Sequence, residues 1–133
     1  MICIRRSAVE ALISHARTEA PRECCGLLVG QPGLVERIVP ATNVRASETS
    51  YLIDPRDHFV AIRAARAEGL SVIGGYHSHP RSQALPSATD LAESAGQDFL
   101  YVIAAPAARG GWRLGAFFID TRNFVESPLV PVA

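Results

Sequence analysis

His77 and His79 stand two residues apart in the stretch HSHPRSQALPSATD, and Ser87 and Asp90 follow in the same stretch. Residues two apart on an extended chain leave from one face, which is what two ligands of a single metal ion require. Imidazole nitrogen and carboxylate oxygen both suit zinc, so His77, His79 and Asp90 form a candidate ligand set, with Pro80 and Pro86 stiffening the loop that brings Asp90 back. Three protein ligands leave a fourth tetrahedral position for water, the arrangement that separates catalytic from structural zinc. Each residue alone has a plainer explanation. Ser87 and Asp90 fit a helix N-cap and its first turn, and the histidines fit a polar strand end. The plainer explanations do not account for the conjunction of these residue types at this spacing.

The neighbouring elements must position these residues. SVIGGYH predicts a central strand running into the proline-bounded loop, and Ser87 predicts the N-cap of a short helix over ATDLAESAG. CCGLLVG is short and apolar and ends in GQPG, which predicts a strand and a hairpin into LVERIVP, with Glu23 at the start of that buried strand. Ser7 to Glu19 predicts a helix: Ser7 and Glu10 fit a capping box, Val9, Leu12, Ile13 and Ala16 make an apolar face, and Pro21 stops the run. A second helix is expected from Asp54 as N-cap, with Pro55 in its first position, to Gly69. FLYVIAAP and WRLGAFFID, separated by AARGG, predict a closing pair of strands, with a short extended tail after Phe124. Gly74 and Gly75 mark either the close approach of another backbone, such as an extended substrate tail, or a bulge or tight packing against a helix. His15 and His58 are expected to be solvated or locally paired. Together these elements predict one α/β domain over residues 1–133 with a mixed sheet.

A chain of 133 residues is long enough to bury a core without disulfides or structural metal, so a metal here is expected to be functional. The 13 basic residues, all arginine and scattered, balance 13 acidic ones, so no global field draws the chain to nucleic acid or to an anionic membrane. Arg5 and Arg6 interrupt the apolar amino terminus and no run approaches transmembrane length, which predicts a cytoplasmic protein. The three cysteines include the adjacent pair Cys24 and Cys25 and show no C-x-x-C spacing. They are expected to be small buried hydrophobes in a reducing compartment.

His77, Ser78, His79, Pro80, then Ser87 and Asp90, match the H-x-H-P-x6-S-x-x-D signature of the JAMM metalloproteases, the catalytic branch of the MPN-domain family. PRECCGLLVG resembles the segment in bacterial members that carries a glutamate, with Glu23 in that place, and YLIDPRDH is similar to another of their segments. The resemblance runs from about residue 7 to residue 119 and implies the MPN fold, a curved mixed β-sheet flanked by helices. It further implies Zn2+ on His77, His79 and Asp90, Glu23 as general acid and base, and Ser87 as a donor to the developing oxyanion. Zinc lowers the pKa of a bound water from roughly 15.7 to about 7, which makes a nucleophile available at neutral pH.

The substrates the family implies are ubiquitin-like or sulfur-carrier proteins, cut at an amide bond after a terminal Gly-Gly to release cysteine, a short extension or a conjugated protein. A bare single domain without a fused adenylating or rhodanese partner is expected, too short for the large insertions with which eukaryotic relatives read ubiquitin chains, so polyubiquitin specificity is not expected. A non-catalytic MPN scaffold is the alternative, though scaffolds typically lack the ligands present here. Two histidines and a carboxylate also fit a ferrous facial triad, but three helical patterns argue against the jelly roll that usually carries it. Zinc deaminases need P-C-x-x-C ligands that this sequence lacks. An apolar fraction of 48% permits a homodimer, the commonest assembly.

Overall fold

The computed structural model describes residues 1–96, 98–121 and 123–133. β1 (Ile2–Arg5) leads directly into α1 (Arg6–Glu19), and β2 (Cys25–Gln31) turns at Pro32 and Gly33 into β3 (Leu34–Ala41). A loop then reaches α2 (Pro55–Ala67), followed by β4 (Ser71–Ser78), the short α3 (Ala88–Ala92), β5 (Leu100–Pro106), β6 (Trp112–Asp120), β7 (Asn123–Ser127) and β8 (Leu129–Val132). The strands form one mixed sheet in the order β7, β6, β5, β4, β2, β3, β1, β8. β4 lies inside it, antiparallel to β2 and parallel to β5.

Alternation along the strands assigns each face its work. Tyr76 joins Ile4, Leu28, Val102 and Ala104 beneath Ala8, Leu12 and Ala16 of α1, the larger core cluster. On the opposite face Tyr101, Ile103, Phe117 and Ile119 pack with Leu91 of α3 and Phe99. His77 pairs in register with both Cys25 and Ile103, so it emerges on this second face beside α3.

α2 starts as the sequence predicts: Asp54 is its N-cap, accepting from the Arg56 N–H at 2.9 Å, and Pro55 occupies the first turn. Past its end Gly69 takes φ +72°, a backbone conformation that favours glycine. α1 departs from expectation. Its N-cap is Arg5, whose side chain makes no cap, and Ser7 lies inside the helix. The cause is β1, whose Arg5 still pairs with Val132 of β8 and sends its guanidinium to Glu36 at 3.1 Å, so strand pairing sets where the helix begins.

The tail after Phe124 is more ordered than predicted: it supplies β7 and then β8, which runs parallel to β1 along the sheet edge. Pro131, which lacks an N–H, sits on that edge strand, where it is tolerated. Gly74 and Gly75 serve the sheet itself. A Cβ at Gly74 would come within 2.0 Å of the Leu100 carbonyl oxygen, and one at Gly75 within 3.3 Å of the Phe99 ring. Since β2 and β5 flank β4, the approaching backbone is the protein's own and no substrate tail adds along this strand.

Candidate metal centre

The sheet carries His77, inside β4, and His79, just past its end, in one orientation. The His79 N–H donates to the Ala104 carbonyl at 2.8 Å, and the Ser78 N–H to the Cys24 carbonyl at 3.1 Å, so the chain stays extended through both histidines. Ser78, between them, faces the other way and accepts from the Cys24 N–H at 2.8 Å, which pins the segment bearing Glu23 to β4.

Ser87 and Asp90 form the expected N-cap as a full capping box: the Asp90 N–H donates to Ser87 Oγ at 3.1 Å and the Ser87 N–H to Asp90 Oδ2 at 2.9 Å. α3 is shorter than the sequence predicts, closing at Glu93, which Arg45 grips at 2.7 and 3.0 Å. The box aims Asp90. Its Oδ2 lies 3.1 Å from His77 Nε2 and 3.1 Å from His79 Nε2, and the two nitrogens are 3.1 Å apart.

This triangle of donor atoms fits a metal ion. Ligand bonds of about 2.05 Å at the tetrahedral angle set such atoms roughly 3.3 Å apart, close to the 3.1 Å edges found. His79 Nδ1 lies 2.9 Å from the Gln83 carbonyl, which only accepts, so the proton sits on Nδ1 and a neutral ring turns the Nε2 lone pair toward Asp90. Two lone pairs facing each other call for a cation or a proton between them. Burial pulls His79 down, yet the Asp90 carboxylate and the Gln83 carbonyl, which would accept from the protonated ring, leave it raised above the usual imidazole value. Burial alone dominates at His77 and lowers it. At Asp90 burial is outweighed by the hydrogen bonds from His77 and His79, which hold the carboxyl well below the ordinary range.

Glu23 is buried on the same face and precedes β2 by two residues, outside the strand in which the sequence places it. Its N–H bonds the Ser47 carbonyl at 2.8 Å, so the loop after β3 replaces the sheet as its partner. A ligating oxygen of Glu23 falls within 4.8 Å of a nitrogen on each histidine, and Oε1 has no hydrogen-bond partner among the described residues. Burial pushes the carboxyl up to about 7, with His79 opposing and Asp90 adding to the rise. Two triads therefore share the histidines, and the one completed by Asp90 is the tighter.

Several contributors were missed by sequence reasoning. Tyr51 stacks on His77 with ring centroids 4.2 Å apart and planes at 21°. Asn43 ties the loop carrying Tyr51 to the Glu23 carbonyl at 3.1 Å. Of the other histidines, His15 is locally paired, bonding the buried Tyr76 hydroxyl at 2.8 Å, and His58 lines a cavity of about 200 Å3 beside the site with Leu27, Tyr51, Asp90 and Tyr101. A larger cavity of about 920 Å3, lined by Ile2, Val72 and Phe118, contains none of the site residues. Cys24 and Cys25 are buried and free, as expected, whereas Cys3 on the short β1 is only half-buried, contrary to expectation; burial raises the Cys24 and Cys25 thiols to about 11 and about 12.

Comparison with known proteins gives this constellation a family. The family model of prokaryotic homologs of the JAB domain matches residues 5–115, and the chain belongs to that family. It is 41% identical over 95 residues to a probable TtuB-protein conjugate cleaving protease of Thermus thermophilus, covering 71% of this chain and 64% of that protein. It is 33% identical over 115 residues to a desampylase of Haloferax volcanii, covering 81% and 83% of the two chains. It is 35% identical over 131 residues to a CysO-cysteine peptidase of Mycobacterium tuberculosis, covering 97% and 90%. Among solved structures, a protein of Desulfitobacterium hafniense superposes with TM-score 0.90 at 30% identity, covering 99% of this chain and 93% of that one. A JAB1/MPN domain protein of Archaeoglobus fulgidus superposes with TM-score 0.63 at 20% identity over 100% and 98%, and the expected MPN fold is the fold observed. No helix among the described residues is long and apolar enough to cross a membrane.

Proposed function

We propose that residues 1–133 form one catalytic domain, a zinc-dependent peptidase or isopeptidase that hydrolyses the amide bond after the C-terminal Gly-Gly of a ubiquitin-like or sulfur-carrier protein. The observation that carries this reading is the convergence of His77, His79 and Asp90 at 3.1 Å, with the Glu23 carboxylate standing off on the same face. In this reading the three close residues hold the ion. Bound zinc supplies Lewis-acid polarisation and makes hydroxide available near neutral pH.

Glu23 has no bond to break before acting as a base. Its Oε1 is unpartnered among the described residues, and a carboxyl raised by burial both takes a proton from water and returns it to the departing amine. Ser87 uses an oxygen lone pair to cap α3, so its hydroxyl proton remains available to the developing oxyanion, an interaction worth about 3 kcal/mol. The cavity of about 200 Å3 beside Asp90 is small and partly apolar, which suits a tail of small residues. The names of the relatives supply the substrate class: a conjugate-cleaving protease, a desampylase and a CysO-cysteine peptidase. The same reading places the protein in the cytoplasm, in keeping with three free cysteines, and permits a homodimer. Sedimentation at roughly twice 14.3 kDa is the result expected of that dimer.

The test is a sulfur-carrier or ubiquitin-like protein bearing one residue through an amide after its Gly-Gly, followed by mass spectrometry. Release is expected with the zinc-loaded protein, is lost on chelation and returns with added zinc. Release that persists in metal-free protein, or no release from any carrier of this class, contradicts the proposal.

A further inference from the structure

The two histidines of the proposed ligand set are held in different ways. An imidazole that ligates through one nitrogen is normally fixed by a hydrogen bond at the other, which sets both its tautomer and its ring orientation. His79 obeys this rule through the Gln83 carbonyl, 2.9 Å from Nδ1. His77 does not. Its Nδ1 is buried and meets no hydrogen-bond partner among the described residues, although the ring is fully enclosed.

Something else must keep the His77 Nε2 aimed at Asp90. The ring lies against Tyr51, with centroids 4.2 Å apart and planes at 21°. Stacking at that distance resists rotation of the imidazole about its Cβ–Cγ bond, since turning the ring drives its edge into the tyrosine.

Tyr51 itself belongs to no helix or strand, so its own placement needs a cause. Asn43 supplies it. Its Oδ1 accepts from the Leu52 N–H at 3.0 Å and its Nδ2 donates to the Ser50 carbonyl at 3.1 Å, so a single amide grips the residues on either side of Tyr51. The same Nδ2 donates to the Glu23 carbonyl at 3.1 Å, and Oδ1 accepts a second bond, from the Arg45 N–H at 3.0 Å. Both donor hydrogens and both acceptor lone pairs of this amide are engaged.

We propose that Tyr51 is a positioning residue for His77. Its ring, presented by the Asn43 clamp, supplies the orientation that His77 lacks at Nδ1, and the clamp ties that orientation to the backbone of Glu23. The inference rests on the ligand set proposed above and adds to it a residue outside the H-x-H-P-x6-S-x-x-D signature.

The test measures zinc affinity of untagged protein by competition with a chromophoric chelator, together with the visible spectrum of the cobalt(II)-substituted form. Tyr51→Phe keeps the stacked ring and is expected to bind zinc within about 3-fold of the wild type. Tyr51→Leu removes the flat partner and is expected to weaken binding roughly 10- to 100-fold, the range typical for lost support of a ligand, with altered cobalt bands. Circular dichroism of the metal-free variants checks that they fold. Should Tyr51→Leu fail to fold, Asn43→Ala carries the same expectation in direction, because it removes the side-chain grip on Ser50 and Leu52 while leaving the Tyr51 ring present. Wild-type affinity and spectrum in Tyr51→Leu, or in Asn43→Ala where that stands in, overturn the inference, as does equal loss in Tyr51→Phe and Tyr51→Leu. A wild-type protein that binds neither zinc nor cobalt overturns the ligand set itself, an outcome distinct from either.

Discussion

Asp90 does two jobs with one oxygen. Its Oδ2 receives the Ser87 N–H at 2.9 Å, which starts α3, and that bond fixes the carboxylate 3.1 Å from both histidine nitrogens. Helix capping and the proposed metal ligation are therefore not rival explanations of this residue, because the cap aims the carboxylate at the two histidines. Glu23 stands further off, which fits a base better than a ligand. On this account Glu23→Gln retains zinc while kcat falls by about 10²- to 10⁴-fold, measured with the carrier-amide assay; activity within a few fold of wild type with zinc bound removes the assignment. The cysteines have no role in the proposed chemistry. Burial that lifts Cys24 and Cys25 to about 11 and about 12 predicts that a maleimide at pH 7.5 labels Cys3 alone in native protein and all three thiols in denaturant. Rapid native labelling of Cys24 or Cys25 would contradict their burial. His77, His79, Ser87 and Asp90 were legible because they lie close together in the chain, where spacing alone reports a shared face and a cap. Tyr51 and Asn43 were not, since their partners are distant in sequence and an irregular loop has no periodicity to reveal which way a side chain turns.

At the scale of elements, the helices that could be read locally were read well where their caps are local. Asp54 and Pro55 start α2 because both act within one turn. Ser7 misled for the opposite reason: its spacing to Glu10 is right for a cap, but β1 and its pairing with β8 fix the helix start earlier. Four-residue strands such as these carry too little pattern to be recognised without the neighbours they pair with. The apolar face of α1 was legible, and its Leu12 is fully buried against the sheet on the side away from the candidate metal centre. Leu12→Ala is expected to cost about 2–5 kcal/mol and to lower Tm by on the order of 10 °C, read by thermal circular dichroism, with zinc stoichiometry unchanged. A Tm within about 2 °C of wild type would mean that α1 contributes little to the core.

The whole molecule divides its labour between the two faces of one sheet. α1 seals the face that Tyr76 joins, and the opposite face is left to α2, α3 and the loop carrying Tyr51, where His77 and His79 emerge. Strand order across this sheet mixes parallel and antiparallel neighbours distant in sequence, so the fold class followed from element types while the order of strands did not. Membership of the prokaryotic JAB family and the geometry of the centre point to the same chemistry by separate routes. The most direct test of that chemistry is the metal content of untagged protein by inductively coupled plasma mass spectrometry, wild type beside Asp90→Ala. About one zinc per wild-type chain, largely lost from the variant after dialysis, is the result the account predicts. A wild-type protein that carries no metal and takes none up on reconstitution, or an Asp90→Ala variant that keeps a full complement of zinc, would contradict it.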